Sequence, residues 1–275
     1  MIDRPFRSAA AHYHARPPYS AALRPALASR LGWDGQGRLL DVGSGPGNVA
    51  LELAPAFAEV VALDPEPAML AAGKALCAHD HVRWVVGRAD EIPDLDLGRF
   101  QAVTLAQSLH RMDRDMVIQI VHDILTPNGA MLLIHHTLHG FGLTAQDDGD
   151  SRPEPPPDIP PIPHDLIGRT LERYLGFTTA GPTPPEERHE VAVRRSVFGG
   201  SERVVLPGRR DVIRTPENVV EMVLSMSFAS PERFGDRLDE FRTDIVSQLR
   251  AASPRGLFWE WPGDTEVLIA TKAAP

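Results

Sequence analysis

The stretch from Leu39 to Ala54 constrains the fold of this chain more than any other. It opens with a short apolar run, Leu39 to Val42, which is followed at once by three glycines at alternate positions. Beyond Asn48 the apolar residues take the wider spacing of a helix. Glycine is required where a backbone turns sharply or lies against a ligand, because a Cβ atom would clash with either. The stretch therefore predicts a strand, a tight glycine turn and a helix whose first amide groups face the turn.

The spacing of the glycines separates two kinds of nucleotide-like ligand. A dinucleotide-binding turn follows G-x-G-x-x-G, in which the third glycine lets the helix pack closely on the strand. In this chain Asn48 stands at that third position and the last glycine is Gly47, which gives G-x-G-x-G. This pattern resembles the first motif of the class I S-adenosylmethionine-dependent methyltransferases. The resemblance implies that four residues bind the cofactor: Asp41, Gly43, Gly45 and Gly47. The alternative is a glycine turn that binds no ligand.

A second segment lies at the distance that such a ligand requires. Glu59 to Asp64 has the composition of a buried strand and ends in a carboxylate about 20 residues beyond the first glycine. A carboxylate at that place can accept both hydroxyls of an adenosine ribose. The following turn resembles that of the same methyltransferases, which implies that Pro65 and Met69 bind the cofactor and that Met69 touches the adenine. The alternative role for Asp64 is that of a helix N-cap.

Two further strands end in residues that belong to the same expected site. After the strand Val82–Val86, the segment Gly87–Pro93 resembles the motif that holds the adenine. The resemblance implies that Asp90 accepts from the adenine amino group, that Ala89 and Ile92 flank the ring, and that Glu91 also belongs to the cofactor-binding residues. A turn residue in a polar loop is the alternative for Asp90. After the strand Gln101–Leu105, the resemblance places three residues near the methyl donor: Ala106, Gln107 and His110.

The alternation of strands and helices defines the expected fold class. Five strands separated by helices predict an α/β protein with a parallel, doubly wound sheet, whose strands end at one ligand-binding edge. The fifth strand is expected over Ala130–Ile134, after a turn at Thr126–Gly129. A helix from Pro231 to Leu249 is expected to bury one apolar stripe. Glu266–Thr271 is expected to form the last strand.

The resemblance covers nearly the whole chain and implies a more detailed architecture. It implies a Rossmann-like, seven-stranded class I methyltransferase sheet with helices on both faces and a helical cap inserted after the fifth strand. A single domain is expected over residues 1–275, with an N-terminal helical lid over 1–31 and a cofactor-binding core over 32–138. A cap over the acceptor occupies 139–255, and a C-terminal strand within 256–275 returns to the sheet. The proline-rich insert at 151–163 departs from the family pattern.

The N-terminal segment resembles the entry segment of small-molecule methyltransferases related to the enzymes of quinone biosynthesis. Tyr13, Arg16 and Tyr19 surround a Pro-Pro break, and the resemblance implies that the segment folds over the sulfonium. Aromatic faces attract such a cation by about 0.5–2 kcal/mol for each contact. Two tyrosines that pack a helix hairpin are the alternative.

Histidines near the ends of the fourth and fifth strands are the candidate general bases. Methyl transfer from a sulfonium needs a base only when the acceptor must first lose a proton, and imidazole titrates near neutrality. The candidates are His110, His135, His136 and His139, of which His110 and His136, together with Tyr19, are the predicted catalytic residues. Adjacent His135 and His136 should point to opposite faces of the sheet. For each histidine the alternative is a polar residue at a strand end.

Composition excludes several other classes of protein. The formal net charge of −9 argues against a nucleic-acid partner. One cysteine and the absence of a long apolar stretch indicate a cytoplasmic protein without a disulfide framework or a membrane span. No paired cysteines and no H-E-x-x-H motif occur, so no metal site is expected. Oligomeric state stays open.

These observations predict a transferase (EC 2.1.1.-) that moves a methyl group from S-adenosylmethionine to a small, largely apolar metabolite and releases S-adenosylhomocysteine. Orientation of the reactants would supply most of the rate, with an optional histidine base. Two alternatives stay open. One is a protein of the same fold that binds the cofactor without methylating, and the other is a nicotinamide-dependent oxidoreductase, against which Asn48 counts.

Overall fold

The computed structural model describes residues 7–136, 153–176 and 186–274. They divide into two compact units. The sheet unit comprises the described residues of 21–135, 184–206 and 265–274, and the helical unit those of 7–20, 136–183 and 207–264. The candidate base His139 lies outside the described residues.

The strands and helices of the described chain have the following bounds. The strands are Arg38–Val42 (β1), Glu59–Asp64 (β2), Val82–Val86 (β3), Phe100–Ala106 (β4), Leu125–His136 (β5), Glu202–Leu206 (β6), Val212–Arg214 (β7), Phe258–Glu260 (β8) and Thr265–Thr271 (β9). The α-helices are Leu23–Leu31 (α1), Asn48–Leu53 (α2), Pro67–Leu76 (α3), Arg114–Ile124 (α4), His164–Leu175 (α5), Glu186–Arg195 (α6), Pro216–Leu224 (α7) and Leu238–Ala252 (α8). Shorter 3₁₀ turns include Ala9–Ala15, Ala89–Asp94 and Leu109–Arg111.

A seven-stranded sheet carries the expected ligand edge. Its order is β3-β2-β1-β4-β5-β9-β6. The pairs β1–β2, β1–β4, β2–β3 and β4–β5 are parallel, whereas β6 and β9 are antiparallel. The carboxyl ends of β1 to β5 therefore share one edge, where open α/β sheets bind their ligands. The predicted α/β fold class with seven strands is confirmed.

The apolar core of the sheet unit explains why these segments take up strand and helix. Leu40, Val61 and Val103 on adjacent strands are fully buried in one cluster. Val117 and Val121, one helical turn apart on α4, are buried in the same cluster. Each such side chain contributes about 1.5–3 kcal/mol when it leaves water. The spacing of the buried residues therefore favours strands that are buried on both faces and a helix that is buried on one face.

The fifth strand begins earlier than predicted. Thr126–Gly129 was expected to form a turn, but it lies inside β5. The ladder with β4 shifts there, since Phe100 pairs with Leu125 whereas Ala102 pairs with Ala130. Asn128 adopts a φ of 60°, and its amide donates to the carbonyl of Lys272 at 3.1 Å. The turn residues therefore form a bulge, whose backbone is satisfied by the chain just beyond β9.

In the helical unit the helix predicted from Pro231 begins only at Leu238. Two short 3₁₀ turns, Pro231–Arg233 and Gly235–Arg237, precede α8. Gly235 has a φ of 54°, which interrupts a regular helix. The predicted apolar stripe is nevertheless present, because Phe241, Ile245 and Leu249 are fully buried in the core of this unit.

Two elements were not predicted from the sequence. They are α6 and the two-stranded ribbon formed by β7 and β8. Arg214 and Glu260 make a buried ion pair across this ribbon, with Nε and Oε2 2.7 Å apart. Within the described residues no helix is long and apolar enough to cross a bilayer.

Candidate functional site

The backbone conformation of the turn after β1 requires glycine at three positions. Gly43, Gly45 and Gly47 have φ values of 68°, 55° and 82°, a region that other residues rarely adopt. The amides of Gly43 and Ser44 both donate to the carbonyl of Leu63 on β2, at 2.8 and 3.0 Å. The turn is therefore anchored to the neighbouring strand, and α2 begins directly after it.

Asp64 connects the end of β2 to this turn. Its Oδ2 accepts a hydrogen bond from the amide of Gly45 and its Oδ1 one from the amide of Glu66, both at 2.8 Å. Burial raises the pKa of Asp64, and these two hydrogen bonds offset only part of the effect. A carboxylate has about four lone-pair positions, so two are left for a ligand. The alternative role is not observed, because Glu66 is the N-cap of α3 and accepts from Ala68 at 3.3 Å.

Asp41 is held inside the sheet unit. Its Oδ1 accepts from the hydroxyl of Thr104 at 2.7 Å, and its Oδ2 from the amide of Ala50 at 3.1 Å. The residue is 1% exposed, and burial raises its pKa to about 7 despite these two hydrogen bonds. Asp41 therefore joins β1, β4 and the first turn of α2. Its role as a cofactor-binding residue stays a prediction.

The ring of Trp84 packs against the glycine turn, a contact that the sequence did not reveal. A Cβ atom on Gly47 would lie 2.7 Å from the Trp84 ring, and one on Gly73 of α3 2.5 Å from the same ring. A Cβ on Gly73 would also lie 2.3 Å from the carbonyl oxygen of Pro46. The Trp84 indole therefore fits between two glycines that are far apart in sequence. A glycine inside a helix was the available signal, since such a residue often marks a close approach.

Most of the residues expected around the adenine are buried or hydrogen-bonded to a neighbouring residue. Ala89 is part of the buried core, and Met69 is only 2% exposed. The side chain of Asp90 faces that of Arg88, with Oδ1 and Nε 2.9 Å apart, and this hydrogen bond lowers the pKa of Asp90. Glu91 accepts from the amide of Arg88 at 2.8 Å, whereas Pro65 is exposed. The adenine contacts of these residues stay predictions.

The chain leaves β4 in a strained conformation. Gln107 has a φ of 53°, and its amide donates to the carbonyl of Ile134 on β5 at 3.0 Å. The other described non-glycine residues with positive φ are Asp or Asn, which tolerate this region better. The next residue, Ser108, donates to the carbonyl of Val42 at 2.7 Å. Gln107 and the exposed His110 thus follow β4 at the edge where the glycine turn follows β1.

The two histidines that end β5 have different partners. His135 is 6% exposed, and its Nε2 lies 3.1 Å from Oε1 of Glu266 on β9. Burial raises the pKa of Glu266, but hydrogen bonds from His135 and Arg203 outweigh burial and leave the pKa below its usual value. His136 belongs to the helical unit and stacks on Tyr19, with ring centroids 4.6 Å apart.

The remaining N-terminal site residues also belong to the helical unit. The guanidinium carbon of Arg16 lies 5.0 Å from the Tyr13 ring centroid, and its NH2 group donates to the carbonyl of Ser225 at 3.1 Å. In the same segment Ala9 and Ala15 are buried. This arrangement packs the segment on the end of α7.

The described residues contain no group of three or more His, Cys, Asp or Glu side chains that could hold a metal ion. His135 does have a nearby carboxylate in Glu266, which the sequence did not reveal.

Comparison with known proteins agrees with this geometry. Residues 39–129 match the family model of a methyltransferase domain. A ubiquinone/menaquinone biosynthesis C-methyltransferase from Rubrivivax gelatinosus is 32% identical over 106 residues, which are 38% of this chain and 41% of that protein. An uncharacterised methyltransferase from Mycobacterium tuberculosis is 37% identical over 100 residues, 36% of this chain and 40% of that protein. The matched part thus spans about two fifths of the length of these curated relatives.

Solved structures extend the likeness in fold. The structure of a proposed type II methyltransferase from Anaeromyxobacter dehalogenans superposes with a TM-score of 0.54 and 19% identity, covering 94% of this chain and 97% of that one. Its low identity supports the fold alone. The expected resemblance is confirmed: the chain has the class I methyltransferase fold, its residues 39–129 match the model of a methyltransferase domain, and it resembles the S-adenosylmethionine-dependent enzymes of the quinone-biosynthesis type.

Proposed function

We propose that this protein transfers a methyl group from S-adenosylmethionine to a small, largely apolar metabolite. One observation carries the proposal. The carboxylate at the end of β2 is hydrogen-bonded to the amide of Gly45 and so fixes the glycine turn at the sheet edge. The same carboxylate keeps lone pairs for the two hydroxyls of a ribose. The family match over residues 39–129 supports the same conclusion.

The chain's part in the reaction is to bind and to orient. S-adenosylmethionine supplies a methyl group that is already activated, and an in-line displacement needs the acceptor, the methyl carbon and the sulfur in one line. Holding two reactants in that geometry can lower the barrier by roughly 7–11 kcal/mol. In the proposal the backbone of the turn from Gly43 to Gly47 lies against the ligand, and Asp64 fixes its ribose.

Further parts of the proposal concern the acceptor side. His110 and His136 serve as optional bases, and Tyr13, Arg16 and Tyr19 as contacts of the methyl donor. Residues 1–31 act as a lid and residues 139–255 as a cap over the acceptor. The overall negative charge of −9 supports a small acceptor rather than a nucleic acid.

The competing ligand is a nicotinamide dinucleotide. Asn48, at the third glycine position of the dinucleotide fingerprint, is the first residue of α2 and is exposed. A dinucleotide-binding turn has a glycine at this position so that the helix packs closely on the strand, and Asn48 departs from that pattern. This position favours S-adenosylmethionine over NAD.

Calorimetric titration tests the proposal. S-adenosylmethionine and S-adenosylhomocysteine are expected to bind with micromolar affinity, whereas NAD does not bind. Gly45→Val should abolish this binding, because a branched side chain is strained at a φ of 55° and occupies the ligand surface. Gly200→Val is the matched control, since a Cβ there has no neighbour within 4 Å. Binding of NAD, or unchanged affinity of a folded Gly45→Val variant, would overturn the proposal.

A further inference from the structure

A groove on the sheet unit lies between α4 and α6. Its volume is about 660 Å³, which falls within the roughly 300–1,000 Å³ of pockets that bind small molecules. Arg114 and Asp115 of α4 line it, together with Val191 and Arg195 of α6 and Val197 just after that helix. None of these residues belongs to the predicted cofactor-binding or catalytic set, so the groove is a separate feature of the molecule.

The elements that form the groove are held by the core of the sheet unit. Val117 of α4 and Val193 of α6 are buried in the same apolar cluster. Beyond α6 the hydroxyl of Ser196 donates to the carbonyl of Val193 at 2.7 Å and accepts from the amide of Phe198 at 3.2 Å. Phe198 packs against the same cluster. The groove is therefore built into the fold, and a ligand would not have to order its walls.

Two arginines give the groove its charge. The Nε atom of Arg114 is buried and has no hydrogen-bond partner in the described part of the chain. Arg195 likewise makes no hydrogen bond or ion pair with another described residue, whereas its neighbour Arg194 pairs with Glu190 at 3.0 Å. With Asp115 as the acidic side chain of the lining, the groove is positive in a chain of net charge −9. A buried donor without an acceptor costs free energy, which an anionic ligand would recover.

The same groove also offers an apolar surface. Val191 is 38% exposed and Val197 is 53% exposed, and both line the groove beside the arginines. The aliphatic stems of the two arginines add to this surface. A ligand that covers the valines and also meets the guanidinium groups must carry an apolar part and a negative charge in one molecule.

We propose that the groove between α4 and α6 is a binding site for a small amphipathic anion, a carboxylate attached to an alkyl or aryl group. The carboxylate is held by Arg114 and Arg195, because a guanidinium donates two parallel hydrogen bonds to such a group. The apolar part of the ligand covers Val191 and Val197. This site is independent of the methyl donor, and the inference does not rest on the proposed function.

Calorimetric titration of the full chain with decanoate, kept below its critical micelle concentration, tests the site. 1-Decanol lacks the charge and acetate lacks the apolar part, so each should bind at least about tenfold more weakly than decanoate. Arg114→Gln and Arg195→Gln should each weaken decanoate binding about 10–100-fold, since each removes charged hydrogen bonds. Arg194→Gln is the matched control, because it removes the same charge from the same helix at a residue outside the groove lining. It should bind decanoate like the parent.

Three results would overturn the proposal. One is equal decanoate affinity in the parent and in both groove variants, or equal binding of decanol by the parent. Another is displacement of decanoate by S-adenosylhomocysteine, which would place decanoate at the predicted cofactor site. The third is a parent that binds no decanoate but forms a dimer that Arg195→Gln abolishes, since the groove would then be an interface between two copies. Failure of the parent to bind S-adenosylmethionine would overturn the proposed function and leave this site standing.

Discussion

The carboxylates at the ends of β1 and β2 have different environments, although both accept backbone amides. Asp41 is enclosed by Thr104 and Ala50 and is 1% exposed, whereas Asp64 is 8% exposed and holds the amide of Gly45. The enclosed group is a structural connection between three elements. The more open group lies beside the glycine turn and is suited to a ligand.

Replacement of Asp41 by Asn should remove a pH dependence of stability. Burial raises the pKa of Asp41 to about 7 in the folded protein, from 3.8. Its contribution to stability is therefore full below the unfolded pKa and is lost as the pH rises towards 7. The loss is at most about 1.4 kcal/mol for each pH unit.

Denaturant unfolding at pH 5 and at pH 7.5 measures this effect. Between the two conditions, the free energy of unfolding of the parent should fall by about 2–3 kcal/mol relative to that of Asp41→Asn. Other titrating groups are shared by both proteins and cancel. Parallel pH profiles would show that Asp41 titrates normally.

The sequence could place these residues but not their contacts. Strand ends and glycine spacing located Asp41 and Asp64, because both signals are local. The hydrogen bond from Gly45 to Asp64 joins residues 19 positions apart, and that from Thr104 to Asp41 joins residues 63 apart. The partnership of His135 and Glu266 spans 131 positions and needs β9 beside β5. No local pattern contains that information.

At the scale of elements, α3 and β3 support the glycine turn through one indole. Trp84 lies against both Gly47 and Gly73, so that helix, strand and turn pack at a single point. Because the packing is this close, a larger side chain at either glycine would displace the residues of the turn.

Gly73→Ala should destabilise the protein by about 1–3 kcal/mol, although alanine favours helix. The added Cβ would lie 2.3 Å from the backbone oxygen of Pro46, which cannot move away as a flexible side chain would. Chemical denaturation measures the change. Gly200→Ala, in open space, should change stability by less than about 0.5 kcal/mol. Equal stability of the two variants would mean that Trp84 does not confine this helix.

The ribbon of β7 and β8 provides a second test at this scale. The side chains of Arg214 and Glu260 are 10% and 8% exposed, and burial raises the pKa of Glu260 even though Arg214 opposes this. Arg214→Met should cost about 3–5 kcal/mol, because it leaves a buried carboxylate without a partner.

The double variant Arg214→Met, Glu260→Leu is the control for this pair. It should recover most of the loss, since neither charge is then buried. Denaturant unfolding of the parent, both single variants and the double variant completes the cycle. Losses that simply add would show that the two side chains are not coupled.

At the scale of the whole molecule, the two units are interleaved along the chain. The sheet unit receives β6 and β9 from the second half of the sequence, and β9 lies between β5 and β6 in the sheet. The alternation of strand and helix patterns along the sequence predicted the first five strands, because each pattern is local and consecutive elements are close in sequence. The ribbon of β7 and β8 was missed because its strands are three residues long and pair across a helical segment.

Ending the chain after Asp264 should therefore abolish cooperative unfolding of the sheet unit, because β5 and β6 lose the strand between them. Hydrogen exchange of the β5 amides measures the loss directly. Ending the chain after Lys272 is the control, since β9 and the backbone contacts of Lys272 with the bulge remain. Equal protection of β5 in both shortened proteins would contradict the observed strand order.

The most direct test of the account is a crystal structure with S-adenosylhomocysteine bound. We expect the ribose hydroxyls to lie within hydrogen-bond distance of the Asp64 carboxylate, about 2.6–3.2 Å, with the ligand running over the turn from Gly43 to Gly47. A ribose bound elsewhere, or a glycine turn without ligand in crystals grown with saturating S-adenosylhomocysteine, would contradict it.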